Sequence, residues 1–125
     1  MYGHLDCKRV YDPAVKTDGI RVLVDRLWPR GVRKEDAQIG HWLKNVAPSP
    51  QLRTWFAHDP NRFAEFSTLY REELDTDESH QQAVGQIVQW LQEGSVTLVY
   101  AARDVQHNHA VVLKAYVLER LQRLR

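Results

Sequence analysis

The sequence predicts an α/β fold, a small and mostly parallel sheet covered by about five helices in a single domain spanning 1–125. Three observations predict it. Ile20 to Val24 and Val96 to Ala101 are short apolar runs rich in valine, the pattern of strands buried on both faces. The stretch between them reads as helical throughout, which makes the two strands parallel with a right-handed crossover. At 125 residues, 43% of them apolar, the chain has material for one core and no room for a second domain.

The elements follow in order. Leu5 to Tyr11 suits a short strand, and Asp12-Pro13 with Thr17-Asp18-Gly19 reads as a turn-bearing loop. That loop is too short for a parallel crossover to an adjacent strand, so the strands on either side are antiparallel neighbours or are not paired. Val22-Leu23-Val24 marks a central strand, which stops at Asp25-Arg26-Leu27-Trp28-Pro29-Arg30-Gly31 because Pro29 and Gly31 do not continue a sheet. Four helical stretches come next. Ile39, Trp42, Leu43 and Val46 recur at helical spacing and stop before Pro48. Ser49 caps a second helix with Pro50 at its first position, carrying Leu52, Trp55 and Phe56. Asp59-Pro60 repeats that signal ahead of Phe63, Phe66, Tyr70 and Leu74. Ser79 with Gln82 forms a capping box before Val84, Ile87, Val88 and Leu91, and Gly94 ends that helix. Ala110 through Leu124 closes the chain as an amphipathic helix with Val111, Leu118, Leu121 and Leu124 inward.

Bulk charge excludes some functions. Seventeen Lys and Arg against sixteen Asp and Glu leave a formal charge of +1, so nucleic acid and anionic lipid gain no general attraction and any anion site is local. A local excess exists: Arg21, Arg26, Arg30, Arg33 and Lys34 face only Asp25 until Glu35 and Asp36. A solvated positive face is the plain alternative. The lone Cys7 precludes an internal disulfide framework and fits the cytoplasm. No stretch approaches the roughly 20 apolar residues of a membrane span, and charges stand where a secretory signal needs its apolar run.

Ligands of parallel sheets bind outside the carboxyl ends of the strands, where two polar runs fall. The run Arg103-Asp104-Val105-Gln106-His107-Asn108-His109 lies between a buried strand and a helix start. The partial positive charge of a helix N-terminus and a bidentate Arg103 suit a phosphate or carboxylate. Capping of the last helix by Asp104 or Asn108, with solvated histidines, is the structural alternative. His107 and His109 also titrate near neutrality, and Asp104 can orient one of them, so Asp104, His107 and His109 are candidates for general acid–base catalysis. A metal-binding domain using His107 and His109, completed by Asp104 and Asp25, is a further alternative; no companion motif makes it specific, and no metal or other cofactor is assigned. In the other run Arg26 and Arg30 pair an anion beside Trp28, which can stack a flat ring or serve as core. Arg53 and His58 are further candidates. Cys7 lies in the first predicted strand and no Gly-flanked serine elbow exists, so nucleophilic catalysis has little support, and the glycine-rich phosphate loops are missing.

Four segments carry a family resemblance: KRVYDP, DGIRVLVDRLWPRGVRKEDA, WLKNVAPSPQLRTWFAHDP and YAARDVQHNHAVVLKAYV. From about Cys7 to Leu118 the chain resembles the YeaO-like family, small bacterial proteins assigned to a domain of unknown function. The resemblance implies a similar α/β fold and no reaction. Its motif positions fall on Asp25, Arg26, Trp28, Pro29, Arg30, Gly31, Lys44, Ser49, Arg53, Trp55, His58, Tyr70, Asp104, His107 and Asn108. Related branches have cysteine-containing motifs near the last strand; here YAARDVQHNH has none, which puts thiol chemistry in doubt.

The expectation is therefore a phosphate-containing small molecule, such as a nucleotide, bound by Asp25, Arg26, Trp28, Arg30, Arg103 and Asn108 in a crevice shared by the two runs. The rival is a non-catalytic nucleic-acid or protein-binding module using the same arginines on phosphates.

Overall fold

A computed structural model describes residues 2–124. Its strands are β1 (Leu5–Arg9), β2 (Ile20–Leu23), β3 (His41–Trp42) and β4 (Val96–Tyr100), and its α-helices are α1 (Lys34–Ala37), α2 (Pro50–Phe56), α3 (Phe63–Thr76), α4 (Glu78–Glu93) and α5 (His109–Arg123). The strands form one parallel sheet in the order β1-β4-β2-β3. Leu5 of β1 and Ile20 of β2 both stand opposite Val96, so β4 lies between β1 and β2 and, with β2, forms the interior of the sheet. This resolves the short loop after β1: β1 and β2 are parallel, but β4 separates them and they do not pair.

Alternation along the strands builds two cores. Val22, Val24, Val96 and Leu98 point to the face covered by α2 to α5, while Leu23 and Val99 point to the other face, with Val10, Ala37, Ile39 and Trp42. Val22, Leu23, Leu98 and Val99 are completely shielded from solvent. Each such side chain contributes about 1.5–3 kcal/mol by leaving water.

Residues 39–46 do not form the helix their spacing predicts. His41 and Trp42 add an edge strand to β2, and Lys44–Val46 is a single 3-10 turn. The apolar residues recur at helical spacing because they serve different cores: Ile39 and Trp42 belong to one face of the sheet, Leu43 and Val46 to the other.

Two helix predictions shift in detail. Helix α4 starts before Ser79, capped by Asp77, whose carboxylate accepts the His80 N–H at 3.1 Å. In α5 the inward face is Val112, Leu113, Tyr116, Val117 and Leu121; Leu118 and Leu124 are exposed and Val111 is half-buried. Core contacts with α3 and β1 set that rotation more strongly than the spread of leucines. The expected caps at Ser49, which accepts the Leu52 N–H, and at Asp59, which opens a 3-10 turn leading into α3, are present. Among the described residues no helix is long and apolar enough to cross a membrane.

Candidate functional site

The carboxyl ends of β2 and β4 open into a cleft of about 860 Å³. Asp25 to Pro29 follow β2 along one side, Ala101 to Asp104 follow β4, and the start of α5 contributes Asn108 and His109. The remaining wall comes from the helical connection: Ala47 and Pro48, Arg53, Thr54 and Phe56 of α2, Ala57 and His58 after it, and Phe66 of α3.

Side-chain bonds across strand ends hold this architecture. Asp25 Oδ2 accepts the Ala101 N–H at 3.0 Å and so joins the end of β2 to that of β4. Trp42 donates its indole N–H to the Asp25 carbonyl at 2.8 Å, and Arg9 of β1 donates to the carbonyls of Ala101 and Ala102. The Ala47–Pro48 wall is also fastened. Arg26 Nη2 donates to both carbonyls at 3.3 and 3.2 Å, the His80 ring meets the Ala47 carbonyl at 2.8 Å, and Tyr70 donates to the Val46 carbonyl. Glu73 receives the backbone N–H and the hydroxyl of Ser49. Burial of Tyr70, followed by the Glu73 charge, pushes its phenol well above the usual tyrosine range, so it stays a donor.

The two histidines part company. His109 Nε2 lies 3.1 Å from the Val24 carbonyl and 3.1 Å from Asp25 Oδ1. Both neighbours are acceptors, so Nε2 carries the proton, and its direction satisfies the Val24 carbonyl while leaving Asp25 Oδ1 without an aligned donor. His107 instead turns from the cleft: its Nδ1 bonds Asp104 at 2.9 Å and its ring stands edge-on to Phe63. Asp104 also accepts the N–H groups of Gln106 and His107 at 2.9 and 3.0 Å. These bonds, the Gln106 N–H first and the His107 ring next, hold its carboxyl below the usual aspartate range. Asn108, 2% exposed, caps α5 by accepting the Val111 N–H at 3.0 Å and donates to the Asp104 carbonyl at 2.8 Å. The loop 104–108 is thus an internally bonded helix start.

Asp25, Arg26, Trp28, Arg103, Asp104, Asn108 and His109 share the cleft; Arg30 and His107 are not among its lining residues. Neither Asp25–Arg26 nor Asp25–Arg103 forms an ion pair; the ring that approaches the Asp25 carboxylate is that of His109, at 3.1 Å. Trp28 lines the cleft, but its indole donates to the Val32 carbonyl, stands edge-on to Trp42 and packs on the smaller core. Arg53 and His58 both line the cleft and are exposed. Among the described residues, neither Arg53 nor Arg103 has an acidic partner, and no group of three His, Cys, Asp or Glu side chains could hold a metal ion. Sequence reasoning missed the Ala47–Pro48 wall and Phe56 and Phe66, which carry no chemical signature; Pro48, where a chain must turn, was the available signal.

Comparisons place this chain in a family. Residues 4–125 match the family model DUF488-N3i, described as an inactive DUF488-N3 subclade. An uncharacterised protein of Mycobacterium tuberculosis (strain H37Rv) is 46% identical over 105 residues, 84% of this chain and 86% of the relative. The uncharacterised protein YeaO of Escherichia coli K12 is 41% identical over 110 residues, 88% of this chain and 93% of YeaO. No solved structure matches the chain. The chain belongs to the DUF488-N3i family and is a YeaO-like bacterial protein.

Proposed function

We propose that the cleft binds an anionic small molecule bearing a phosphate or carboxylate, and that it does so without turnover, in the cytoplasm. One observation carries the reading: in a chain of net charge +1, two guanidiniums without acidic partners among the described residues, Arg53 and Arg103, stand at the mouth of one large cleft. Unpaired arginines in a concave site are the ordinary means of capturing such groups, since the fork matches two oxygens at once. Arg26 supports the wall beside them.

Binding is favoured over catalysis because the candidate acid–base groups are engaged locally. Asp104 and His107 bond each other and the backbone that starts α5, and His109 Nε2 is turned to the Val24 carbonyl. The description of the matching family as an inactive subclade agrees.

Thermal shift with inorganic phosphate and pyrophosphate tests the reading. The melting temperature of the wild type rises with concentration, as for any ligand that binds only the folded state. The Arg53→Ala/Arg103→Ala double variant keeps its fold and loses the rise. Equal rises in both proteins, or none in the wild type, would sink the idea. Tighter binding of an oligonucleotide, with a steep loss on adding salt, would instead select the nucleic-acid module.

A further inference from the structure

Building on the anion reading, we infer that the ligand is a nucleoside monophosphate, with its base inside the cleft and its phosphate at the mouth. Size is the first argument. A cleft of about 860 Å³ is far larger than a phosphate ion and lies in the range of sites that enclose most of a drug-sized molecule.

The lining is the second. Ala47, Pro48, Ala101 and Ala102 are small or closed side chains that leave space between the secondary elements, and Phe56 and Phe66 stack on each other beneath at 4.1 Å with ring planes 15° apart. Hydroxyls of a sugar phosphate placed against this lining would lose water without finding partners, whereas a flat heterocycle loses little. An acyl chain fits less well, because it would leave Asp25 and His109 facing hydrocarbon.

Charge sets the orientation. The side chains of Asp25 and His109 are each only 16% exposed, while Arg53, His58 and Arg103 are exposed at the mouth. The Asp25 carboxylate, whose Oδ1 is buried without an aligned donor, repels a phosphate from the interior. The unpaired arginines draw the phosphate outward.

Calorimetry on the full chain decides the matter with inorganic phosphate, ribose 5-phosphate, the four common nucleoside 5′-monophosphates and their nucleosides. We expect at least one monophosphate to bind about tenfold or more tightly than both ribose 5-phosphate and its own nucleoside, each tenfold step being about 1.4 kcal/mol. Arg103→Ala should weaken every phosphate compound by roughly tenfold, at the scale of a charge-assisted hydrogen bond. Ala102→Leu, which fills the interior, should reduce the monophosphate to the level of ribose 5-phosphate and leave inorganic phosphate unchanged. If ribose 5-phosphate matches every monophosphate, the base subsite is wrong and the anion reading stands. If no phosphate compound binds, both fall. The ranking of ligands on the wild type needs no variant, so misfolding of Ala102→Leu does not rescue the proposal.

Discussion

The two ends of the sheet are built on opposite terms. At the amino end, backbone meets backbone: a Cβ on Gly3 would stand 2.0 Å from the Gly94 carbonyl oxygen, and one on Gly19 would stand 2.1 Å from that of Ser95. The buried charges there are matched to one another. Asp18 accepts from Lys8 at 3.1 Å, Arg21 at 2.8 Å and the Val15 N–H at 3.1 Å, while Arg21 also reaches the Ala37 carbonyl and Thr97 closes on the Asp18 carbonyl. At the carboxyl end, alanines and prolines line an open cleft and two arginines have no acid among the described residues. Polar residues thus have two meanings in one small chain: matched and buried they support the fold, unmatched and exposed they are available to a ligand.

The sharpest way to break the contrast is Asp18→Ala. It leaves Arg21, only 5% exposed, without its acid, and loss of one partner from a buried pair costs about 3 kcal/mol or more, to be read from urea unfolding. Acid should act in the same sense. Burial raises the Asp18 carboxyl, but the Val15 N–H, Lys8 and Arg21 outweigh it and hold the group below the usual aspartate range. A carboxyl depressed in the folded state contributes stability that is present above its unfolded value of about 3.9 and is lost as pH falls toward the folded one. The wild type should therefore lose stability below about pH 4 more steeply than Asp18→Asn.

Next in size is Gly19→Ala. With φ at +65° and the Ser95 backbone in the way, we expect about 2–3 kcal/mol of destabilisation; a change under about 0.5 kcal/mol would show the amino end to be looser than its contacts state. The smallest effect belongs to the cleft. Arg53→Ala and Arg103→Ala should each change stability by less than about 0.5 kcal/mol while affecting ligand binding, and a large loss of stability would place these arginines in the fold rather than the site.

How legible each end was follows from the same contrast. Val22-Leu23-Val24 and Val96 to Tyr100 announce the central strands by composition, and the polar runs after them point to the cleft because a parallel sheet brings its carboxyl ends together. The Asp104–His107 bond was readable as an acid near a histidine; the pairing of His109 with Asp25 was not, since it joins residues far apart in the chain. Residues 39–46 misled because periodicity reports that residues are buried, not that one face buries them. The rotation of α5 was misread because Tyr116 and two valines fill the core where leucines were expected.

Asp25 carries a consequence for how such a protein changes over time. One oxygen of its carboxylate sutures two strands and the other is buried beside His109, just behind the cleft wall. Any substitution there is felt twice, by the scaffold and by the site, so purifying pressure on folding alone suffices to retain it. An aspartate so placed serves as masonry whether or not it meets a ligand, so its presence alone is no record of chemistry.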